Sequence, residues 1–198
     1  MEACNVSEMH HIEVVQRLID ALDALEIPYA IGGSMASSMY GIMRFTQDAD
    51  ITVQPFSQVA DRFCDMVKSE FYISGEAMRH ALRTHGSFNV IHFATSFKID
   101  IFVQGPSEFD RQLMARRRTA RLTQTGPKDL YVVSPEDIIL LKLRWYKETE
   151  CTSERQWSDV LKVLGVQGDM LDFAYLKEWA EKLGLEDLLK RAMAEASA

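Results

Sequence analysis

Residues 48–53 read Asp48-Ala-Asp-Ile-Thr-Val53, and this stretch decides how the rest of the chain is interpreted. Polar and apolar residues alternate, which predicts a β-strand with one polar face and one buried face. Asp48 and Asp50 are two residues apart, so their side chains leave the same face of that strand. At a separation of about 4 Å and an effective dielectric constant of about 20, their repulsion is roughly 4 kcal/mol.

A divalent ion is one way to balance this charge, because Mg²⁺ and Mn²⁺ prefer hard oxygen ligands. Asp48 and Asp50 are therefore candidate metal ligands. The alternative is a solvated strand end, where water screens the two carboxylates from each other.

A third carboxylate, Asp100, lies in the strongly apolar stretch Phe97-Lys-Ile-Asp-Ile-Phe-Val103. Alternation puts Ile99 and Ile101 on one face of this predicted strand and Lys98 and Asp100 on the other. A charge in an apolar strand is costly unless it is paired or bound to metal. Asp100 is thus either a third metal ligand or one half of a salt bridge with a neighbouring lysine or arginine.

A glycine-rich turn, Gly32-Gly33-Ser34, lies between a predicted buried strand at 28–31 and a short predicted helix that ends before Gly41. Paired glycines allow backbone N–H groups to approach a phosphate closely, and a helix N-terminus adds favourable partial charge. The turn is therefore a candidate nucleotide-binding element. The same residues are also typical of an ordinary turn with an N-cap serine.

The remaining sequence predicts an α+β fold. A helix is predicted over about 7–25, with Ser7 as its N-cap, and residues 88–93 and 97–103 predict an antiparallel hairpin. After Ser134-Pro-Glu136, which is typical of a helix start, all of the sequence is predicted to be helical. We expect a mixed sheet flanked by helices over residues 1–133 and a helical bundle over residues 134–198.

Lys142 is a further candidate, because it lies on the apolar side of the helix that begins at Pro135. Its ammonium group could point into a cleft and bind phosphate. Two alternatives are a lysine that extends out of a buried face and a lysine paired with a core carboxylate. Farther along, Arg155 and Asp159 have the spacing of a simple i, i+4 helix pair.

Composition limits the classes of protein to consider. The 198 residues carry a net charge of −7, which disfavours broad nucleic-acid binding, although residues 105–128 contain six basic and two acidic residues. Three widely separated cysteines, Cys4, Cys64 and Cys151, predict reduced thiols in a cytoplasmic protein. No apolar run is long enough to predict a membrane span.

The order of these features resembles the DNA polymerase β-like nucleotidyltransferase superfamily. The matching signature is Gly33-Ser34, thirteen residues, Asp48-Ala49-Asp50, and then Asp100 on a later strand. The flanking sequences are most similar to the abortive-infection toxin nucleotidyltransferases and their bacterial relatives: Ile31-Gly-Gly-Ser-Met-Ala36, Arg44-Phe-Thr-Gln-Asp-Ala-Asp-Ile51 and Ser134-Pro-Glu-Asp-Ile-Ile-Leu-Leu-Lys-Leu143.

This resemblance implies transfer of a nucleoside monophosphate from an NTP to an acceptor hydroxyl, with release of pyrophosphate. It implies that Asp48 and Asp50 bind two Mg²⁺ or Mn²⁺ ions and that Asp100 holds the catalytic metal near the acceptor. The glycine turn, with Gly33 and Ser34, would contact the β- and γ-phosphates.

The resemblance also bears on the acceptor and the partners. The implied acceptor is RNA such as tRNA, or a protein, and a toxin would have an antitoxin as partner. Two alternatives are a nucleotide-binding or regulatory module without turnover and an antibiotic-type small-molecule nucleotidyltransferase. The basic stretch at 105–128 would favour an anionic acceptor if it lined the cleft.

Overall fold

The computed structural model describes residues 3–42, 46, 48–121 and 129–196, with side chains from residue 11 onward. The first half of the chain consists of α1 (Ala3–Ala24), β1 (Tyr29–Ile31), α2 (Gly33–Tyr40), β2 (Asp48–Val53), a 3₁₀ turn (Ser57–Val59), α3 (Ala60–Val67), β3 (Phe71–Ile73), α4 (Gly75–Thr84), β4 (Ser87–His92) and β5 (Lys98–Val103). The second half consists of α5 (Glu108–Ala115), β6 (Arg118–Ala120), β7 (Leu130–Val132), α6 (Pro135–Glu148), α7 (Glu154–Gln167), a 3₁₀ turn (Gly168–Met170), α8 (Phe173–Leu183) and α9 (Glu186–Ala196).

The described strands form one mixed sheet in the order β3-β4-β5-β2-β1-β7-β6. The pairs β2–β5 and β1–β7 are parallel, and the other four neighbouring pairs are antiparallel. The predicted fold class, a mixed sheet flanked by helices with a C-terminal helical bundle, is confirmed.

The central strands alternate as their sequences predicted. On β2, Ala49, Ile51 and Val53 are completely buried, whereas the residues between them are only partly buried. On β5, Ile99 and Ile101 are buried in the same way, and Asp100 is partly buried. One face of the sheet is therefore core and the other carries the polar side chains. The hairpin predicted from 88–93 and 97–103 is β4–β5.

The C-terminal helices begin where the sequence predicted. The Ser134 hydroxyl accepts a hydrogen bond from the Asp137 backbone N–H at 3.2 Å, and Pro135 occupies the first turn of α6. Both α6 and α7 pack against α2, the helix that follows the glycine turn. The helices thereby cover the end of the sheet where that turn lies.

Two local predictions require correction. Ser7 is not an N-cap, because α1 already begins at Ala3, and no glycine or proline between them stops the helix. Residues 71–84, for which no helix or strand was predicted, form β3 and α4. β3 has three residues at the sheet edge, and so short a strand carries little periodicity. β6 and β7 lie on either side of residues 122–128, which are outside the described residues.

The basic stretch is largely neutralised by the protein itself. Buried Glu136 accepts hydrogen bonds from Arg116 Nη2 and Arg118 Nη2, both at 3.3 Å, and from the Asp172 backbone N–H at 3.1 Å. This carboxylate joins the α5–β6 segment to α6 and to the start of α8. Farther along, Arg121 forms a salt bridge of 2.8 Å with an exposed aspartate. Lys128 lies outside the described residues.

In the part of the chain that the structure describes, no helix combines the length and the apolar character that crossing a membrane requires.

Replacing Glu136 by alanine should lower the free energy of unfolding by about 2–4 kcal/mol, because two arginines lose a buried partner. Urea unfolding would measure the change. The matched control is Asp129→Asn, which removes the exposed salt bridge to Arg121 and should cost less than about 1 kcal/mol. Equal losses in the two variants would contradict a central role for the buried carboxylate.

Candidate active site

Four charged side chains lie together on the polar face of the two parallel strands β2 and β5. In the register of this pair, Asp48 is opposite Lys98 and Asp50 is opposite Asp100. Neighbouring strands are about 4.8 Å apart, so these residues form a compact group that we call the charged square. The structure thus brings together all three predicted carboxylates and adds a lysine that the prediction did not include in the site.

Asp50 is a partly buried carboxylate of the charged square. Burial raises the pKa of its carboxyl group, and the charges of Asp48 and Asp100 raise it further. The nearby Lys142 charge and a hydrogen bond from the backbone N–H of Ser34 act in the opposite direction. Negative charge at Asp50 is therefore costly without a cation, which is the condition that the sequence predicted for the Asp-x-Asp pair.

Asp100 has a partner within the square. Lys98 Nζ lies 2.7 Å from Asp100 Oδ2, and the lysine side chain is 43% exposed. This hydrogen bond is the main reason that the pKa of Lys98 is raised. The salt bridge that the sequence offered as one interpretation of Asp100 is therefore present, in addition to its position beside Asp50.

The donor types of the charged square suit a hard divalent ion, but their arrangement does not. Among the described residues, no three acidic, histidine or cysteine side chains are placed to share one metal ion. Besides the Lys98–Asp100 contact, Thr46 Oγ1 donates a hydrogen bond to Asp48 Oδ1 at 2.9 Å. Binding of Mg²⁺ or Mn²⁺ by all three carboxylates would require these side chains to move.

The glycine turn is built against Asp50. Gly33 has a φ of +54°, and a Cβ atom there would lie 1.6 Å from Asp50 Oδ2. The neighbouring Gly32 donates its backbone N–H to the Asp50 carbonyl at 2.8 Å, and a Cβ atom there would meet nothing closer than 3.8 Å. There is therefore no room for a side chain at position 33, whereas position 32 has room for one.

Lys142 lies between the cleft and the core. Its ammonium group is 2.8 Å from Asp159 Oδ2 and 3.0 Å from Gln156 Oε1, and the side chain is buried. The lysine thus pairs with a core acid, as one interpretation proposed, and also lines the cleft. Arg155 Nη2 donates to Ser34 Oγ at 3.1 Å. Arg155 and Asp159, predicted as an i, i+4 pair, therefore have different partners.

One cleft of about 800 Å³ contains the predicted site. It lies between the polar face of the sheet and the helices α6 and α7. All seven predicted residues line it: Gly32, Gly33, Ser34, Asp48, Asp50, Asp100 and Lys142. They are distant in sequence, so their convergence on one cleft is a result of the tertiary structure. Their catalytic, metal-binding and nucleotide-binding roles stay predictions.

Some lining residues were not predicted as site residues. Arg155, interpreted only as part of a helix pair, lines the cleft. His85 lies in the cleft with its Nδ1 atom 2.5 Å from the Gln104 carbonyl oxygen. Trp145 on α6 lines the cleft and is 50% exposed. For His85 and Trp145 the sequence carries no distinct signal, because their neighbours come from distant elements.

The described basic residues between 111 and 121 do not line the cleft. Three of them form salt bridges with acidic residues elsewhere. The argument that this stretch favours an anionic acceptor therefore loses its premise.

Comparison by sequence finds no protein family and no curated protein that matches this chain. Comparison of the fold does find similar solved structures. The antibiotic-resistance factor ANT(2'')-Ia matches with a TM-score of 0.58 and 15% identity, over 100% of this chain and 97% of that chain. The fold is nucleotidyltransferase-like. A structure of ANT(2'')-Ia in complex with adenylyl-2''-tobramycin matches with a TM-score of 0.55 and 14% identity, over 94% and 98% of the two chains.

An antigenic nucleotidyltransferase-like protein from Paracoccidioides brasiliensis has the same fold. Its TM-score is 0.52 and its identity 18%, over 91% of each chain. At these identities the likeness concerns the fold, which agrees with the superfamily that the sequence resembles. Similarity to the toxin-type members within that superfamily stays a prediction.

Substituting Gly33 by alanine should displace the Asp50 carboxylate, because the new methyl group would overlap it. We expect loss of any nucleotide-dependent rise in melting temperature, and a loss of at least about 1 kcal/mol of stability from the positive φ. Gly32→Ala is the matched control, since its methyl group has room. Retention of the nucleotide response in Gly33→Ala would contradict this account of the turn.

Proposed function

We propose that this protein is a nucleotidyltransferase that moves a nucleoside monophosphate from an NTP to an acceptor hydroxyl and releases pyrophosphate. The observation that carries the proposal is the single cleft in which the glycine turn, the three carboxylates and Lys142 meet. A nucleotidyltransferase-like fold supports it. A chance arrangement of acidic residues would not be expected to place a glycine turn and a buried lysine at the same cleft.

The triphosphate would lie at the end of the cleft formed by α2, α6 and α7. Gly33 and Ser34 begin α2, where the helix N-terminus favours anions, and the Ser34 backbone N–H is itself donated to Asp50. Arg155 already contacts the Ser34 hydroxyl, and Lys142 lies close enough for its charge to act on Asp50. These groups together provide positive charge and donors beside the carboxylates, as phosphate binding requires.

The carboxylates would perform the chemistry. Asp48, Asp50 and Asp100 would hold Mg²⁺ or Mn²⁺ after rearrangement, and the ions would supply charge neutralisation at the reacting phosphate when bound. Asp100, at the side of β5, would accept the proton of the acceptor hydroxyl as it attacks the α-phosphate. The α-phosphate–oxygen bond to pyrophosphate breaks in the same displacement, and the bond to the acceptor oxygen forms.

For the acceptor, we infer from the sequence resemblance an RNA such as tRNA, or a protein. In that role the protein would be a cytoplasmic toxin with an antitoxin as partner. A small molecule is the second candidate. It is favoured because the described basic residues between 111 and 121 do not line the cleft. In addition, the structural neighbour ANT(2'')-Ia was solved with adenylyl-2''-tobramycin.

The proposal predicts that NTP and Mg²⁺ together raise the melting temperature, whereas either alone has a smaller effect. Ligand at about a hundred times its dissociation constant adds roughly 2.7 kcal/mol of stability. At about 2–4 °C per kcal/mol, the rise should be about 5–10 °C. Asp50→Asn should abolish this rise, and Asp187→Asn, at an exposed position of α9, should retain it. Each of the four NTPs is tested separately.

Transfer of label from an [α-³²P]NTP would then distinguish the acceptors, as labelled RNA, labelled protein or a labelled small molecule. No rise with any NTP in a folded wild-type protein would contradict the transferase and favour a module that retains the fold for another purpose. A rise without label transfer to any acceptor would favour the nucleotide-binding or regulatory alternative.

A further inference from the structure

The charged square contains its own cation. Lys98 is opposite Asp48 in the strand register, and its Nζ atom is 2.7 Å from Asp100 Oδ2. Alternation along β5 requires both Lys98 and Asp100 to leave the same face of the sheet. With the three carboxylates ionised and the lysine protonated, the square has two net negative charges, which one divalent ion would balance.

Each carboxylate of the square is already held by another group. Lys98 holds Asp100, the Thr46 hydroxyl holds Asp48, and the Ser34 backbone N–H holds Asp50. This explains why, in the described part of the chain, the three acids do not form a ready metal site. Of these three holders only Lys98 carries a charge, so it opposes a cation most strongly.

The Lys98 side chain is also able to move away from Asp100. Its side chain is 43% exposed, whereas that of Asp100 is 18% exposed. A lysine has a long flexible stem and can turn its ammonium group into solvent without disturbing the strand. Displacement of Lys98 would expose the Asp100 oxygen that it now contacts.

We propose that Lys98 is a built-in counter-cation that occupies Asp100 and keeps the third carboxylate from a metal ion in the protein without nucleotide. The proposal rests on the proposed function. Without nucleotide, the square accepts at most one divalent ion, held weakly and without Asp100. Under the proposed function, a bound triphosphate would offer the Lys98 ammonium group a second anionic partner, and Lys98 would then release Asp100. Lys98 is thus a positioning residue for the acid that faces the acceptor.

Mn²⁺ titration followed by electron paramagnetic resonance tests this in the absence of nucleotide. Lys98→Met should bind Mn²⁺ with a dissociation constant about tenfold or more below that of the wild type, because a positive charge leaves and Asp100 is released. Lys98→Arg keeps the charge and should resemble the wild type. The double variant Lys98→Met/Asp100→Asn should lose the gain.

Lys68→Met is the matched control, since it removes an exposed lysine from a salt bridge with Asp65 outside the cleft. It should leave Mn²⁺ binding unchanged. Circular dichroism would show that every variant is folded.

An unchanged dissociation constant in Lys98→Met, in a protein that NTP and Mg²⁺ still stabilise, would overturn the role of Lys98 alone. Tighter Mn²⁺ binding in Lys98→Met that depends on Asp100 would support it, even if no NTP stabilised the protein. In that last case the proposed function would fail, and only the effect of Lys98 on metal binding by Asp100 would stand.

Discussion

The parallel pairing of β2 with β5 is the constraint on which the site depends. It aligns six residues of each strand and puts Asp50 opposite Asp100. Because side chains alternate between faces, a slip of one residue would turn one set of acids into the core. The apolar residues between the charged ones, Ala49 on β2 and Ile99 on β5, are completely buried and hold the register. Burial of one face therefore fixes the position of charges on the other.

A buried ion pair between the C-terminal helices is a second feature on which the cleft depends. The Lys142–Asp159 pair is buried between α6 and α7, and the Ser37 hydroxyl of α2 also donates to Asp159 at 3.4 Å. Breaking such a pair would leave a buried charge without its partner, which is strongly unfavourable. The contact that joins these three helices therefore also places a lysine beside the carboxylates.

Much of the site could be predicted because its signals are local. A period of two assigned Asp48 and Asp50 to one strand face, and the same rule separated Asp100 from its apolar neighbours. Other residues of the cleft were not predicted, because their contacts are with partners that are distant in sequence. Arg155 contacts Ser34, which is 121 residues away in sequence, and His85 meets Gln104 only through the β4–β5 hairpin. Spacing along a helix could not reveal either contact.

The sequence by itself therefore determined which side chains share a face, where the glycine turn lies and where α6 begins. These properties follow from backbone geometry within a few residues. Only the tertiary structure decided that β5 pairs with β2, that Lys98 contacts Asp100 and that Lys142 pairs with Asp159. Such pairings join segments that are distant in sequence, or choose one partner among several nearby charges. They depend on how the whole core packs, which no local pattern encodes.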